Sequence, residues 1–390
     1  MNKPLQKNFK AIGHSDLNGH PNGGQVVVQR RGRKYYAFVG HMRGTGTSIV
    51  DVTKPDRPEI VSQIPNPAGT HTHKVRVSGE VMLVNNEKFL EAGLRSDEFE
   101  PGLRIFNIKD LTSPKEVSFF RTSGKGVHRF SIDVEKNRAY IPTGAEGYSN
   151  NIFMTVDFSN PDNPREISRW WLNGQWEAGG EKPTWPENRN VGLHLPLVLG
   201  NRAYLAYWDA GYIILDFTDI SHPNLISRAS YCPPYGGATH TALPITREIR
   251  DRKWMIVFDE CLEPDLDPPD DSRMWMIDIT DETNPVSVST FSVPEESGLR
   301  RPNARFGPHQ PVEDFTVKDD IVFAAWFSGG LRAVNIENPY LPTEVGYFVP
   351  ARLKGTRPIQ TNDVFIDDRE LIYIIDRWDR GLDIIEYKPK

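Results

Sequence analysis

Six segments of the chain repeat one pattern without gaps, and this repetition constrains the fold more than any other feature. Each segment has an apolar run, then Asp or Asn, then a proline seven residues later, then a second apolar run. The Asp or Asn positions are Asp51, Asn107, Asp157, Asp216, Asp278 and Asn335. The prolines are Pro58, Pro114, Pro164, Pro223, Pro285 and Pro342. An offset shared by all six segments means that one structural unit recurs along the chain.

The pattern of one unit predicts β-strands joined by tight turns. The apolar runs are typical of strands, and the Asp or Asn ends the first run because its side chain bonds the turn backbone. Proline then fixes φ at the start of the next strand, where no ladder donor is lost. Two more strands precede each signature, as in SIDVEKNRAYIPTG. One unit is therefore a four-stranded meander of roughly 50–60 residues.

Such a sheet cannot bury both faces alone, so neighbouring units are expected to stack. A seventh unit begins at DVFIDDRELIYIID and has three strands before the sequence ends at Lys390, while KNFKAIG near the N-terminus supplies a spare strand. Closing the ring with that strand would remove an exposed edge. We predict an all-β fold, a single seven-bladed β-propeller over residues 1–390, with an open solenoid as the alternative. The N-terminal closing strand that completes the last blade falls in 1–19, and the approximate blades are 20–66, 67–122, 123–173, 174–232, 233–293, 294–350 and 351–390.

Composition excludes several classes of protein. The 46 Lys and Arg against 52 Asp and Glu give a net charge of −6, which argues against binding nucleic acid or an anionic membrane surface. The N-terminus lacks the apolar region of a signal peptide, and no apolar run approaches the ~18–20 residues of a membrane helix. The two cysteines, Cys232 and Cys261, provide no disulfide framework. We expect a cytoplasmic protein that acts on a small molecule, and the sequence leaves its oligomeric state open.

The apolar cores IVDV, ILDF and MIDI are similar to the LVIVD repeat of bacterial β-propeller proteins. That group loosely resembles the selenium-binding protein and methanethiol oxidase family, whose members are also propellers. The resemblance implies a propeller fold and, through the second family, copper-dependent oxidation of a thiol. It carries no catalytic motif that is specific to one reaction.

One histidine opens the first strand in six of the units. First strands line the central channel of a propeller, so these residues are expected to form a ring about the axis. Neutral imidazole is a good ligand for Zn, Cu, Fe and Ni. The predicted metal ligands are His20, His73, His128, His194, His240 and His309, with Asn362 at the equivalent place in the seventh unit. About three to five of them would hold one ion; the alternative is a structural histidine copied from blade to blade.

The turns between second and third strands are expected at the same end as this ring. Carboxylates there can orient metal ligands or transfer protons, and these turns hold Glu87, Asp259 and Asp376 among others. We assign candidate catalytic roles to Glu146, Asp209, Glu260, His71 and His41, and candidate substrate contacts to Trp208, Trp326, Trp378 and Arg43. The long connection from Pro164 to His194 contains four tryptophans and suggests a lid. The alternative for each residue is turn formation or packing.

These features favour a metal-dependent enzyme with its ion on the propeller axis. We expect an oxidoreductase acting on a small organic substrate, aromatic or anionic, with Fe or Cu favoured and Zn or Mn possible. The choice of oxidation follows from the all-histidine ligand set, which resembles that of carotenoid-cleaving oxygenases. A metal-assisted lyase or hydrolase at the same site is the first alternative, and a non-enzymatic propeller that binds a protein or peptide is the second.

Overall fold

A computed structural model describes residues 3–43, 46–89, 99–232, 235, 237–262, 272–294 and 297–389. These ranges are rich in β-strands and contain no α-helix, which confirms the predicted all-β class. Short 3₁₀ turns occur at Glu177–Gly179 and Lys318–Asp320. Within the same ranges, no helical segment has the length and apolar character needed to span a bilayer. Within the described residues, Cys232 and Cys261 form no disulfide.

The strands follow one another at short intervals along the chain. The first half contains β1 (Leu5–Lys7), β2 (Phe9–Ser15), β3 (Gly23–Arg31), β4 (Lys34–His41), β5 (Thr47–Asp51), β6 (Glu59–Ile64), β7 (Thr70–His71), β8 (Val75–Ser78), β9 (Val81–Lys88), β10 (Gly102–Asn107), β11 (Lys115–Arg121), β12 (Ser123–Val127), β13 (Ser131–Asp133), β14 (Arg138–Gly144), β15 (Ile152–Asp157) and β16 (Arg165–Trp170). The second half contains β17 (Leu195–Leu199), β18 (Arg202–Ala206), β19 (Tyr212–Asp216), β20 (Asn224–Ala229), β21 (Ala238–Pro244), β22 (Trp254–Glu260), β23 (Met274–Asp278), β24 (Val286–Phe291), β25 (Ile321–Ala325), β26 (Leu331–Asn335), β27 (Thr343–Val349), β28 (Thr361–Ile366), β29 (Leu371–Asp376) and β30 (Leu382–Tyr387).

Most strands form four-stranded antiparallel sheets in simple sequential order. These are β3-β4-β5-β6, β17-β18-β19-β20 and β21-β22-β23-β24. The strands from β7 to β16 form one ten-stranded sheet, because β12 pairs with β9 as well as with β14. Two sheets recruit a strand from the N-terminal segment, in the orders β1-β27-β26-β25 and β2-β30-β29-β28. In the second of these, Phe9 lies opposite Tyr387 and Ser15 lies opposite Leu382.

The Asp or Asn of each repeat closes the turn between the third and fourth strands, as the spacing predicts. In every repeat its side-chain Oδ1 accepts a hydrogen bond from the backbone N–H two residues later, at 2.8–2.9 Å. This local bond replaces the ladder bond that a continuing strand would make. The six donors are the backbone N–H groups of Thr53, Lys109, Ser159, Thr218, Thr280 and Glu337.

The core lies between neighbouring sheets rather than at one centre. One apolar cluster joins Val26, Ala37 and Val50 of the first repeat to Tyr373 and Ile384 of the last. The inner strands also meet directly, since β28 packs against β3 and β17 packs against β21. Each buried aliphatic or aromatic side chain contributes about 1.5–3 kcal/mol, so the sheets stabilise one another through their faces.

The inner strands begin irregularly, and this irregularity positions the residues on the axis. Pairing with the second strand shifts register at Gly24, His240 and Asn362. A bulge of this kind re-aims the side chain of the extra residue. In two other repeats the equivalent residue, His128 or His194, precedes its strand, and its backbone N–H donates to the second strand. The repeat therefore delivers one side chain per unit to the same end of the channel.

Candidate functional site

Five histidines lie side by side at one end of the inner strands, and we call them the histidine arc. Neighbouring ring centroids are 5.1 Å apart for His73 and His128, 4.7 Å for His128 and His194, and 4.1 Å for both His194–His240 and His240–His309. These residues are 53 or more positions apart along the sequence in every adjacent pair except His194–His240. The structure thus brings together five of the six positions that the repeat alignment identified.

The sixth position, His20, lies outside the arc. His20 is exposed in the turn before β3, and its backbone N–H donates to Leu17. Gly24 takes the place in the first repeat, because a Cβ there would lie 2.5 Å from the Cβ of His73. The Asn362 side chain donates to the Gly24 carbonyl, and the Asn362 carbonyl accepts from His309. The structure does not bring His20 into the arc, because Pro21 and Asn22 separate it from β3 and Gly24 is the residue at the bulge.

Three members of the arc have their Nδ1 atoms engaged by neighbouring groups. His194 Nδ1 donates to the His240 carbonyl at 2.7 Å, and His309 Nδ1 donates to the Asn362 carbonyl at 2.5 Å. His240 Nδ1 lies 2.7 Å from the Thr241 hydroxyl. A donating Nδ1–H leaves the lone pair of a neutral imidazole on Nε2.

The carboxylate of Glu260, at the end of β22, lies among those Nε2 atoms. Its oxygens are 3.9 Å from His240 Nε2 and 3.6 Å from His309 Nε2. Ligand atoms of His194, His240 and Glu260 all lie within 4.8 Å of one another. His240 Nε2 is buried and has no hydrogen-bond partner among the described residues. An unpartnered buried acceptor beside a carboxylate fits a divalent cation, so this half of the arc meets the geometric requirements of a metal site.

A second carboxylate, Glu87 at the end of β9, organises the other half of the arc. His71 Nε2 lies 2.6 Å and His128 Nδ1 2.7 Å from the Glu87 carboxylate. His73 is held differently, because the Asn85 amide, which also donates to the Val127 carbonyl, lies 3.2 Å from its Nδ1. His128 is the more open imidazole, with 22% of its side chain exposed. The pair of His128 and Glu87 has the contact that proton transfer requires, and ligand atoms of His71, His73 and Glu87 also lie within 4.8 Å of one another, so this half too has the geometry of a cation site.

Burial favours the neutral form of four of the five imidazoles in the arc. It lowers the pKa of His73, His194, His240 and His309 well below 6.5, and neighbouring positive charges act in the same direction. Burial opposes ionisation of Glu87, but the charges of His128 and His71 and their hydrogen bonds outweigh it and lower its pKa to about 2. Neutral imidazoles beside ionised carboxylates are the protonation states that a metal ion requires of its ligands.

Aromatic side chains border the arc at two equivalent turns. Trp208 lies 4.1 Å from His194, and Phe327 lies 4.5 Å from His309. Both residues have a positive φ, 46° and 43°, and each bridges to the inner strand of the next repeat. Trp326 instead is 1% exposed and packs in the core against Phe291. Of the predicted substrate contacts, Trp208 thus lies beside the histidines, whereas Trp326 lies in the core and its neighbour Phe327 takes the equivalent place.

Arginines form a rim at the same end. The guanidinium groups of Arg43 and Arg357 lie 4.6 Å and 4.2 Å from the centroid of the Trp378 ring. Arg377 lies 5.5 Å from the Phe327 ring, and burial, followed by the charge of Arg305, lowers the pKa of Arg377 to about 9. Trp378 thus contacts the arginine rim rather than the histidines. Arg357 is paired with Asp379 at 2.7 Å, and the positive charge of Arg43 and Arg377 favours an anionic ligand.

Arg305 links this rim to the candidate metal site. Arg305 Nη1 donates to Glu260 at 2.5 Å, and its guanidinium lies 5.6 Å from the Phe327 ring. One oxygen of Glu260 is therefore held by Arg305, while the other faces His240. Such a hydrogen bond fixes the orientation of a carboxylate ligand.

The remaining predicted catalytic residues have other surroundings. Glu146 is exposed in the turn after β14. Asp209 accepts a hydrogen bond from the Asn190 backbone at 2.9 Å and so anchors the long connection. His41 is buried between the Asn22 carbonyl and the Ser48 hydroxyl, at 3.1 Å and 2.7 Å. These contacts assign turn and loop support to Asp209 and His41, whereas His71 does reach the site through Glu87.

The tryptophan-rich connection packs on its own repeat. The ring centroids of Trp171 and Trp176 lie 5.8 Å apart with an interplanar angle of 65°, and Tyr148 contacts both rings. Glu181 accepts hydrogen bonds from the Trp171 indole and from the backbone of Gly174 and Trp176. Of the two interpretations of this segment, a lid and local packing, the contacts support local packing.

Comparisons with known proteins support the fold. A profile of the LVIVD repeat matches residues 197–230. Three solved structures are similar over most of the chain. A Lactobacillus plantarum protein is 10% identical with a TM-score of 0.59, covering 85% of this chain and 86% of that chain. The WD40 repeats of RRP9 are 9% identical with a TM-score of 0.61, covering 98% of both chains. The N-terminal domain of Nup159 is 11% identical with a TM-score of 0.52, covering 97% of this chain and 95% of that chain.

No curated protein sequence matches the chain. The link to the selenium-binding protein and methanethiol oxidase family is not supported by the profile match or the solved structures. At such low identity a structural likeness establishes the fold alone, because one fold hosts many functions. WD40 repeats are propeller blades. The repeat match and the structural likeness together identify the chain as a β-propeller repeat protein.

Proposed function

We propose that this propeller is a metal-dependent enzyme whose ion is held by His194, His240, His309 and Glu260. The observation that carries the proposal is the shared orientation of the imidazoles. Neighbouring groups engage their Nδ1 atoms, while Glu260 oxygens lie 3.9 Å and 3.6 Å from the Nε2 atoms of His240 and His309. Hydrogen bonds to the non-ligating ring nitrogen are the usual support of a metal-binding histidine.

The architecture we propose for this enzyme is a ring of seven blades closed by the N-terminal segment. Pairing of β2 with β30 and packing of β28 against β3 support this closure. Counting β7–β11 and β12–β16 as two blades within the ten-stranded sheet gives seven units in total. In a closed ring the inner strands face one axis, which is the geometry that the arc requires.

His128 and Glu87 supply acid–base chemistry beside the ion. Glu87 holds His128 through Nδ1 at 2.7 Å, and the His128 ring lies 4.7 Å from that of His194. The Nε2 atom of His128 is then free to take or give a proton at a substrate bound near the ligands. A divalent ion held there would polarise a substrate oxygen or lower the pKa of a bound water.

The arginine rim and the two aromatic turns support a small organic anion as the substrate. Arg377 and Arg43 provide positive charge, and Trp208 and Phe327 provide apolar walls on either side of the arc. Apolar walls with a few charged groups are typical of small-molecule sites.

Two reaction classes follow from different observations. The His128–Glu87 pair favours proton transfer, and hence a metal-assisted lyase or hydrolase. The histidine-rich ligand set suits Fe or Cu and supports oxidation of the substrate as the second candidate. Zn or Mn would accompany the first class, so the identity of the metal separates the two.

Elemental analysis of protein purified without chelators tests the proposal. We expect about one divalent transition-metal ion per chain, and loss of that ion in His240→Ala and in Glu260→Gln. His222→Ala is the matched control, because His222 is exposed and paired with Asp219 in an outer turn. Circular dichroism verifies that each variant is folded. A wild-type stoichiometry near zero, or an unchanged metal content in both site variants, would reject the proposal.

A further inference from the structure

Directly beneath the histidine arc the inner strands carry a second ring of buried residues. Each member is the residue that follows an arc position or its equivalent, Gly24 and Asn362 included. We call this the second layer: Gln25, Lys74, Arg129, Leu195, Thr241, Gln310 and Asp363. All seven are buried, and the largest exposed fraction among them is 3%. Two of these buried residues, Lys74 and Arg129, have basic side chains.

The positive charge of this region exceeds the negative charge. Arg76 joins Lys74 and Arg129, whereas the carboxylates here are those of Glu313 and Asp363. Glu313 accepts from Arg76 at 2.6 Å and from Arg129 at 2.9 Å, and the Gln310 amide adds a third bond at 3.0 Å. Asp363 accepts from the Val26 backbone at 2.9 Å and lies 3.5 Å from Arg129. Three cations therefore share two carboxylates that are already engaged.

The two second-layer cations retain unused donors. Arg129 is 0% exposed, and within the described residues its Nε and Nη1 atoms have no hydrogen-bond partner. Lys74 is 3% exposed and forms no ion pair with a carboxylate among the described residues; burial, followed by the charge of Arg129, lowers the pKa of its side chain well below 10.5, so the ammonium form requires a further negative charge beside it. Burying an unpaired cation or an unsatisfied N–H is costly, and natural interiors supply an acceptor.

A cavity borders the second layer. It has a volume of about 500 Å³ and is lined by Gln310 and Asp363 of that layer and by Arg76 and Glu313. Its remaining walls are mainly apolar strand residues such as Val27 and Leu197. Glu313 and Asp363, the residues that contact Arg129, therefore face a space large enough for a small hydrated ion.

We propose that the channel holds a structural halide-type anion, with Lys74 and Arg129 as its donors. The unused N–H groups of both side chains satisfy it, and its charge balances the third cation of the cluster. A monatomic anion fits because Lys74 and Arg129 belong to different repeats, and their donors together impose no planar geometry. The site is separate from the candidate metal centre and does not depend on the proposed enzyme activity.

Bromide tests the location of the anion directly. Crystals of the wild-type chain grown in sodium bromide should show an anomalous peak in contact with both Lys74 and Arg129. Absence of that peak, or a peak only at the arginine rim on the arc side, would overturn the proposal. The measurement needs no variant, so it is independent of whether a substitution impairs folding.

Thermal unfolding in matched salts tests the energetic consequence. Sodium chloride should raise the melting temperature of the wild type saturably, whereas sodium gluconate at the same ionic strength should not. In Lys74→Met the chloride concentration for half of this effect should rise about tenfold or more, the usual consequence of losing a charged donor. Lys318→Met, which removes an exposed lysine paired with Glu370, is the control and should keep the wild-type chloride response. Equal stabilisation by both salts in the wild type would contradict the inference.

Discussion

Replacing Glu87 by Gln should destabilise the protein in a manner that depends on pH. Glu87 is 9% exposed and accepts hydrogen bonds from His71 and His128 at 2.6 Å and 2.7 Å. Glutamine keeps the size of the side chain but removes its charge and one acceptor. Among the described acidic residues, only Glu87 contacts His71 and His128 at these distances. The variant therefore tests whether the charge of Glu87 positions these two imidazoles.

The magnitude follows from the pKa of Glu87, which the folded state lowers from 4.5 to about 2. Burial raises it, and the charges and hydrogen bonds of His128 and His71 more than reverse that effect. A group with a depressed folded pKa stabilises the protein above its unfolded pKa, and this stability is lost as the pH falls through the folded value. The difference corresponds to about 3 kcal/mol above pH ~4.5, and to less than half of that at about pH 3.

Urea unfolding monitored by tryptophan fluorescence measures this difference. We expect Glu87→Gln to lose about 3 kcal/mol at about pH 5.5 and clearly less at about pH 3. Glu80→Gln is the matched control, because Glu80 is exposed at the turn before β9 and should change stability little at either pH. An equal loss at both pH values for Glu87→Gln, or no loss at all, would refute the role assigned to its charge.

Further predictions concern the scaffold. Gly211→Ala should lower the melting temperature well below that of Gly200→Ala, because both have a positive φ but only at Gly211 would a Cβ lie 1.9 Å from a carbonyl oxygen. Trp254→Ala should cost about 3–5 kcal/mol in denaturant unfolding, since Trp254 is fully buried between two sheets. Burial opposes ionisation of Asp383, but bonds from neighbouring cationic side chains lower its pKa, so Asp383→Asn should lose most stability above about pH 4 and least in acid. Truncation that removes Phe9–Ser15 should expose the β30 edge and cause self-association on size-exclusion chromatography, whereas a monomeric truncation would contradict the pairing.

The repeat was sufficient to predict the strands and their turns, because the interactions that form each turn lie within a single segment of the sequence. An Asp or Asn side chain bonding the backbone two residues later needs only its own segment, and all six such bonds are present. The pairing of β1 with β27 is not local, and no pattern in Leu5–Lys7 distinguishes that partner from any other exposed edge. The link between β9 and β12 likewise depends on the path of the chain between two repeats.

The candidate site was predictable to the extent that it follows the repeat register. His73, His128, His194, His240 and His309 each come before the second strand of their repeat, and they lie together although their separations from the repeat Asp or Asn differ. The failures come from shifts in this alignment. Pro21 and Asn22 separate His20 from β3, so Gly24 takes the arc position, and Trp326 aligns with a buried tyrosine rather than with Trp208. Sequence spacing alone cannot resolve a bulge of one residue.

Residues that the alignment undervalued carry a signal of a different kind. Glu87 ends its second strand as Glu260 does, and both are buried beside histidines. Lys74 and Arg129 directly follow arc histidines in the sequence. Pairing is irregular where the inner strands begin, so the usual alternation of side chains does not turn the residue after an arc histidine outward. A charged residue at that place is therefore predicted to face the channel, and this rule identifies Lys74 and Arg129 from the sequence.

The arc is open on one side, and that opening gives the site a direction. Gly24 and Asn362 interrupt the histidines between His309 and His73, so the ring has no imidazole in this sector. The arginine rim lies on that side, because Arg377 follows β29 of the same repeat as Asn362 and Arg43 follows β4 of the same repeat as Gly24. A small anion that entered through this sector would first meet the positive charge of the arginine rim and would then reach the cluster of His194 and Glu260 across the arc. Replacing Gly24 by a larger residue would close this sector against the backbone of His73, which explains why a glycine occupies the one axial position that the repeat otherwise fills with a side chain.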